Sequence, residues 1–164
     1  LNYIIGLNLT KIATILLALT IASSALYAVD FSQRNRIIAE SYEAVPATTP
    51  KELNEMLEDD VELIVLDIRE IEQRAEGTIP TLNKYEMTRG ELEFKIMMMI
   101  EDKNTLIVSF CRDGPRGALA SRTLIDMGYK NATYLQGGLK AWAVAGYKIK
   151  NGLGRVVLNT EEEF

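Results

Sequence analysis

Apolar positions along the chain gather into three short, nearly continuous runs, at residues 61–66, 105–110 and 132–135, each bounded by polar or turn-forming residues. Runs of that length without alternation suit strands covered on both faces, as in a parallel sheet. Helical patterns lie between them. Thr49-Pro50-Lys51-Glu52 opens one: Thr49 caps, Pro50 suits the first helical position, Glu52 completes a capping box, and Leu53, Met56 and Leu57 form the apolar face. Thr88-Arg89-Gly90-Glu91 repeats that pattern ahead of Leu92, Phe94 and Ile96. The methionines at 97–99 read as flexible core filler rather than metal ligands. Ala120, Thr123, Leu124 and Met127 recur at helical spacing, and Gly128 is a natural stop. Residues 71–76 make a short helical turn and 77–80 a turn. Gln136-Gly137-Gly138 turns tightly into a last helix with Leu139, Trp142 and Ala143, where Trp142 reads as core. Strands alternating with helices predict an α/β fold around a mostly parallel sheet.

The two ends break this rhythm. Lys11 is the only charge before Asp30, and residues 12–29 are all apolar or small. A basic residue, an apolar segment and then Ser23-Ser24-Ala25 or Leu26-Tyr27-Ala28 fit a secretory signal over residues 1–28, with the domain periplasmic or exported. About 18 apolar residues also suffice for a span. The alternative is therefore an inner-membrane anchor, with residues 12–29 as tether and the domain outside the cytoplasm. A buried helix is the third reading. Residues 29–43 read as a linker, 44–150 as the domain and 151–164 as a solvated tail carrying Glu161, Glu162 and Glu163.

Charge and composition narrow the chemistry. The net charge is −5, so no global basic field draws nucleic acid, and any attraction for anions must be local. There is no histidine and only one cysteine. A histidine-based triad is excluded, a zinc site has too few ligands, and no internal disulfide can form.

That one cysteine begins the stretch Cys111-Arg112-Asp113-Gly114-Pro115-Arg116-Gly117, between the 105–110 strand and the helix that stops at Gly128. A cysteine at a strand end, on a loop opening a helix, meets backbone amides and a helix N-terminus, and both favour negative charge there. Arg112 and Arg116 add cationic forks for an anion. The loop is expected to be solvated, since Asp113, Gly114 and Pro115 cannot continue the strand.

The pattern Cys-Arg-x-Gly-x-Arg after an apolar strand resembles the active-site loop of the rhodanese (thiosulfate sulfurtransferase) family. Leu66-Asp67-Ile68-Arg69-Glu70, Gly77-Thr78-Ile79-Pro80, and Gly137-Gly138-Leu139 with Trp142 follow the family order. The resemblance covers residues 44–150 and implies one rhodanese-like three-layer domain, a central mostly parallel sheet flanked by helices. It implies Cys111 as nucleophile, the loop from Arg112 to Gly117 as substrate-binding, and Asp67 and Arg69 as a supporting ion pair. Thr78 stands where the family usually has histidine. Arg89 is either over the active-site mouth or a solvated first-turn residue. The implied reaction moves the sulfane sulfur of thiosulfate, or of a persulfide, through a Cys111 persulfide to cyanide or a thiol. It needs no metal or organic cofactor. The partners are a small-molecule sulfur donor and acceptor, with a sulfur-relay protein possible and nucleic acid excluded. The alternatives are a non-catalytic sulfur carrier and, less favoured, a cysteine phosphatase or arsenate reductase. Phosphatase loops place five residues between cysteine and arginine, and here four intervene.

Overall fold

The computed structural model describes residues 29–157. The chain divides into two units, Leu1–Asn35 and Arg36–Phe164. The expected signal or anchor at 1–28 lies outside the described residues, as do residues 158–164 of the expected tail. Among the described residues no helix is long and apolar enough to cross a membrane. In the first unit the Asp30 carboxylate accepts hydrogen bonds from the Ser32 amide (2.8 Å) and hydroxyl (3.0 Å). These bonds, the amide's first, hold the Asp30 carboxyl below its ordinary range.

The expected linker is largely helical: α1 runs from Ser32 to Ala44. Its apolar positions are too sparse among charges to make a stripe, so tertiary packing, not periodicity, defines it. Beyond it, Val45 is buried with Ala118 and Tyr134. The order then runs β1 (Ala47–Thr48), α2 (Pro50–Glu58), β2 (Ile64–Asp67), a 3₁₀ segment (Ile71–Glu76), β3 (Lys84–Glu86) and a second 3₁₀ turn (Arg89–Glu91). It continues with α3 (Leu92–Met99), β4 (Ile107–Phe110), α4 (Pro115–Asp126), β5 (Ala132–Leu135) and α5 (Gly138–Val144). A β6/β7 hairpin (Ile149–Asn151, Gly154–Val156) closes the described chain. The tail expected from 151 thus starts inside a hairpin.

Both capping boxes form. At α2 the Glu52 amide donates to Thr49 Oγ1 at 3.2 Å, and Glu52 accepts from the Thr49 amide at 2.7 Å. At the second box Glu91 accepts from the Thr88 amide at 3.3 Å.

Five parallel strands lie in the order β1-β5-β4-β2-β3. Period-two alternation splits each strand between two cores. Leu66, Ile107 and Ala132 pack with Leu92, Ile96, Ala120 and Leu124 of α3 and α4. Val65, Val108 and Leu135 pack with Leu53 of α2 and with Leu139 and Trp142 of α5. The result is the three-layer α/β fold expected. Met97, Met98 and Met99 are exposed, together with Phe94. The core-filler reading is corrected: α3 is short and buries Leu92 and Ile96, which leaves the methionines on its outer side.

From β2 the chain passes outward to β3; from β4 it passes the other way, to β5. The two connections diverge, and a crevice opens at the carboxyl ends of β2 and β4. In open α/β sheets that is where ligands bind.

Candidate active site

Cys111 follows directly on β4, at the floor of that crevice. The thiol is nearly enclosed, with the residue 2% exposed and packed within the α3/α4 core. The expected solvated loop is therefore wet only along its rim, where Asp113 is exposed and Arg112 half-buried. The reason is the strand itself: β4 is central and covered on both faces, and its first loop residue inherits that cover.

The loop turns back over the sulfur. The Gly114 amide donates to Cys111 Sγ at 3.1 Å. Gly114 has φ +108, a backbone conformation that L side chains rarely adopt. Pro115 then starts α4, whose first closing bond runs from the Ala118 amide to the Gly114 carbonyl at 3.1 Å. Pro115 has no N–H, so the amides of Arg116 and Gly117 are the donors this helix end leaves without an intrahelical acceptor. The Gly114 bond gives the sulfur one backbone donor within the loop itself. Gly117 also seats α4 on β4: a Cβ there would stand 3.1 Å from the Ser109 carbonyl.

Helix α5 braces the loop from behind. The Leu139 amide donates to the Cys111 carbonyl at 2.9 Å and the Lys140 amide to the Arg112 carbonyl at 3.0 Å. A Cβ on Gly138 would lie 2.5 Å from the Cys111 carbonyl oxygen, so only glycine permits this approach. The Gly137-Gly138 motif is thus part of the loop's support.

Asp67 and Arg69 form a fully buried pair beside β4. Arg69 Nη2 donates to Asp67 Oδ2 at 2.6 Å and Nε to Oδ1 at 2.9 Å. Arg69 also donates to the carbonyls of Gln73 (3.0 Å) and Gly77 (2.7 Å), and its guanidinium lies 5.3 Å from the Phe110 ring centroid. The pair ties the 3₁₀ segment down over the end of the sheet. Thr78 is remote from this work: it exchanges two 2.8 Å backbone bonds with Lys150 and anchors the hairpin. Arg89 binds Glu93 (2.9 Å) and Thr123 (2.6 Å), linking α3 to α4, and does not reach over the mouth.

Residues that the sequence did not single out for this role also face the loop. Arg116 Nη2 donates to Gln73 Oε1 at 2.6 Å, and Nη1 lies 3.7 Å from Glu70 Oε1. Arg112 Nε lies 3.4 Å from Glu76 Oε1. Both arginines are therefore engaged sideways by one acidic strap, residues 70–76. Opposite, α1 supplies Tyr42. Its hydroxyl is 3.5 Å from where a Cβ on Gly114 would stand, and its ring meets Tyr134 with centroids 5.3 Å apart. Burial first, then Tyr134 and the charge of Cys111, push the Tyr42 phenol above its ordinary range. Glu70 lay within a recognised motif; Gln73, Glu76 and Tyr42 carried no local signal.

Comparison with known proteins follows this geometry. The rhodanese-like domain family matches residues 49–145. A candidate sulfurtransferase of Bacillus subtilis, YtwF, is 34% identical over 90 residues, covering 55% of this chain and 82% of YtwF. A sulfurtransferase of Allochromatium vinosum is 31% identical over 97 residues, covering 59% of this chain and 87% of its own. The polysulfide-sulfur transferase homodimer of Wolinella succinogenes superposes with a TM-score of 0.61 at 22% identity, over 82% of this chain and 98% of that one, a likeness of fold. With its four motifs in family order, its sheet topology and more than half its length matched, the chain belongs to the rhodanese-like domain family.

Proposed function

We propose that this chain is a sulfurtransferase whose Cys111 carries sulfane sulfur from thiosulfate or a persulfide to cyanide or a thiol. The observation that carries the reading is the Gly114 amide 3.1 Å from Sγ, on a loop that ends at a helix N-terminus. The sulfurtransferase names of the Bacillus and Allochromatium relatives support it.

With thiosulfate, the Cys111 thiolate attacks the outer sulfur. An Sγ–S bond forms, the donor S–S bond breaks, and its electron pair leaves with sulfite. The product persulfide keeps one negative charge, within reach of the same amides. A thiophile then attacks the terminal sulfur and restores the thiolate. No proton has to be removed by a base if the loop holds cysteine ionised, which suits a chain without histidine. Incubation with excess thiosulfate should add one sulfur, about 32 Da, to the peptide bearing Cys111, and cyanide should discharge it as thiocyanate. A mass that never changes would refute the reading.

The same proposal extends to location. A lone basic residue before a long apolar run, with no acidic residue in it, is suited to carry the domain across a bacterial inner membrane. Fractionation of cells making the full chain should find it in the periplasmic or membrane fraction. A cytoplasmic pool of uncleaved chain would overturn export.

A further inference from the structure

We infer that the crevice selects an organic persulfide over thiosulfate as sulfur donor, with Glu70 and Glu76 as the residues that set this preference. The inference rests on the sulfur-transfer reading above.

Arg112 and Arg116 are the cations that a sulfonate would seek, and a carboxylate already stands against each. Arg116 spends Nη2 on Gln73 at 2.6 Å and turns Nη1 toward Glu70 at 3.7 Å. Arg112 faces Glu76 at 3.4 Å. Glu76 is held from behind as well, 3.7 Å from Nη1 of Arg69, and Arg69 is fixed by its buried pair with Asp67. Asp113 adds an exposed carboxylate on the loop itself. Thiosulfate must bring two negative charges into this ring of carboxylates, and sulfite must leave with two. Like charges this close oppose the entry of the dianion, in a way that salt screens.

An alkyl persulfide meets a milder field. It arrives with at most one negative charge and leaves as a thiolate. The Cys111 thiolate attacks the outer sulfur, the Sγ–S bond forms, the donor S–S bond breaks, and its electron pair departs on the thiolate sulfur. The other side of the mouth suits an organic body: Tyr42 and Tyr134 form a tilted aromatic pair, and the Tyr42 hydroxyl stands beside Gly114. Desolvation keeps both phenols neutral well past physiological pH.

The test follows the single-turnover loading of Cys111 by mass spectrometry, with thiosulfate or cysteine persulfide at equal concentration. Wild type and the Glu70→Gln/Glu76→Gln double variant are compared at low ionic strength. Both carboxylates are about half exposed, so the variant should fold. Wild type should load from the persulfide at least about tenfold faster. The variant should load from thiosulfate about fivefold faster or better than wild type, shrinking the ratio of the two donors by a similar factor. Added salt should speed thiosulfate loading of wild type and slow that of the variant, a change of sign that a purely structural role would not give. The inference falls if wild type prefers thiosulfate, or if the variant gains nothing with it. Should neither donor load Cys111, the sulfur-transfer reading falls as well, so the two failures are told apart.

Discussion

Cys111→Ser should abolish sulfur transfer while leaving the fold in place. The proposed reaction consists of making and breaking a bond to Sγ. The chain has no second cysteine to take over. A serine hydroxyl is a far weaker nucleophile at neutral pH, and no histidine is available to activate it. Turnover with any donor should fall at least about a thousandfold, to the solution background. Structure argues for intact folding. Serine is slightly smaller than cysteine, and its hydroxyl can accept the Gly114 amide that now reaches Sγ at 3.1 Å. Leu139 and Lys140 still hold the loop through its carbonyls. The melting temperature should therefore move by no more than a few degrees, about 1 kcal/mol. Sulfur found on the serine variant after donor treatment would place the chemistry elsewhere.

Asp67→Asn should cost the domain about 3–5 kcal/mol, a large fraction of an ordinary folding free energy. Both partners of the Asp67–Arg69 pair are wholly buried, so removing one charge strands the other away from water. Arg69 cannot withdraw without releasing the carbonyls of Gln73 and Gly77. Denaturant titration should show a lower midpoint with the slope unchanged. Replacing both members, Asp67→Asn with Arg69→Met, should recover part of the loss, because the stranded charge is gone. That partial recovery separates an electrostatic cost from a packing cost. A loss under about 1 kcal/mol in the single variant would mean that water reaches Arg69. Activity should fall in the surviving fold too, since the pair secures the strap that meets Arg112 and Arg116.

The elements best read from sequence are those whose signals are local. Capping boxes at Thr49 and Thr88 involve residues three apart, and both form. The run at 132–135 is strand throughout, because a central parallel strand is apolar on both faces. The runs at 61–66 and 105–110 begin two or three residues before their strands, where Leu63 and Leu106 pack into the α2/α5 core ahead of the strands proper. Helix α1 and the Met97–Met99 surface were misread for the opposite reason. Whether a mixed stretch is linker or helix, and which side of a short helix is buried, depends on what packs against it.

Within the site the same division holds. The order of residues from Cys111 to Gly117 was enough to place the candidate nucleophile, the turn and the helix start, since a strand end, a glycine with positive φ and a proline at the first helical position are consecutive properties of the backbone. The family resemblance also marked Asp67 and Arg69 as an ion pair. What the arginines of the loop touch follows from the fold alone. Gln73 and Glu76 are some forty residues from Arg116 and Arg112, and Tyr42 is further still from Gly114. Their meeting follows from the sheet order, which sets the loops after β2 and β4 side by side at one end. Local composition carries no information about that order, so the charges that surround the loop could be read only from the folded chain.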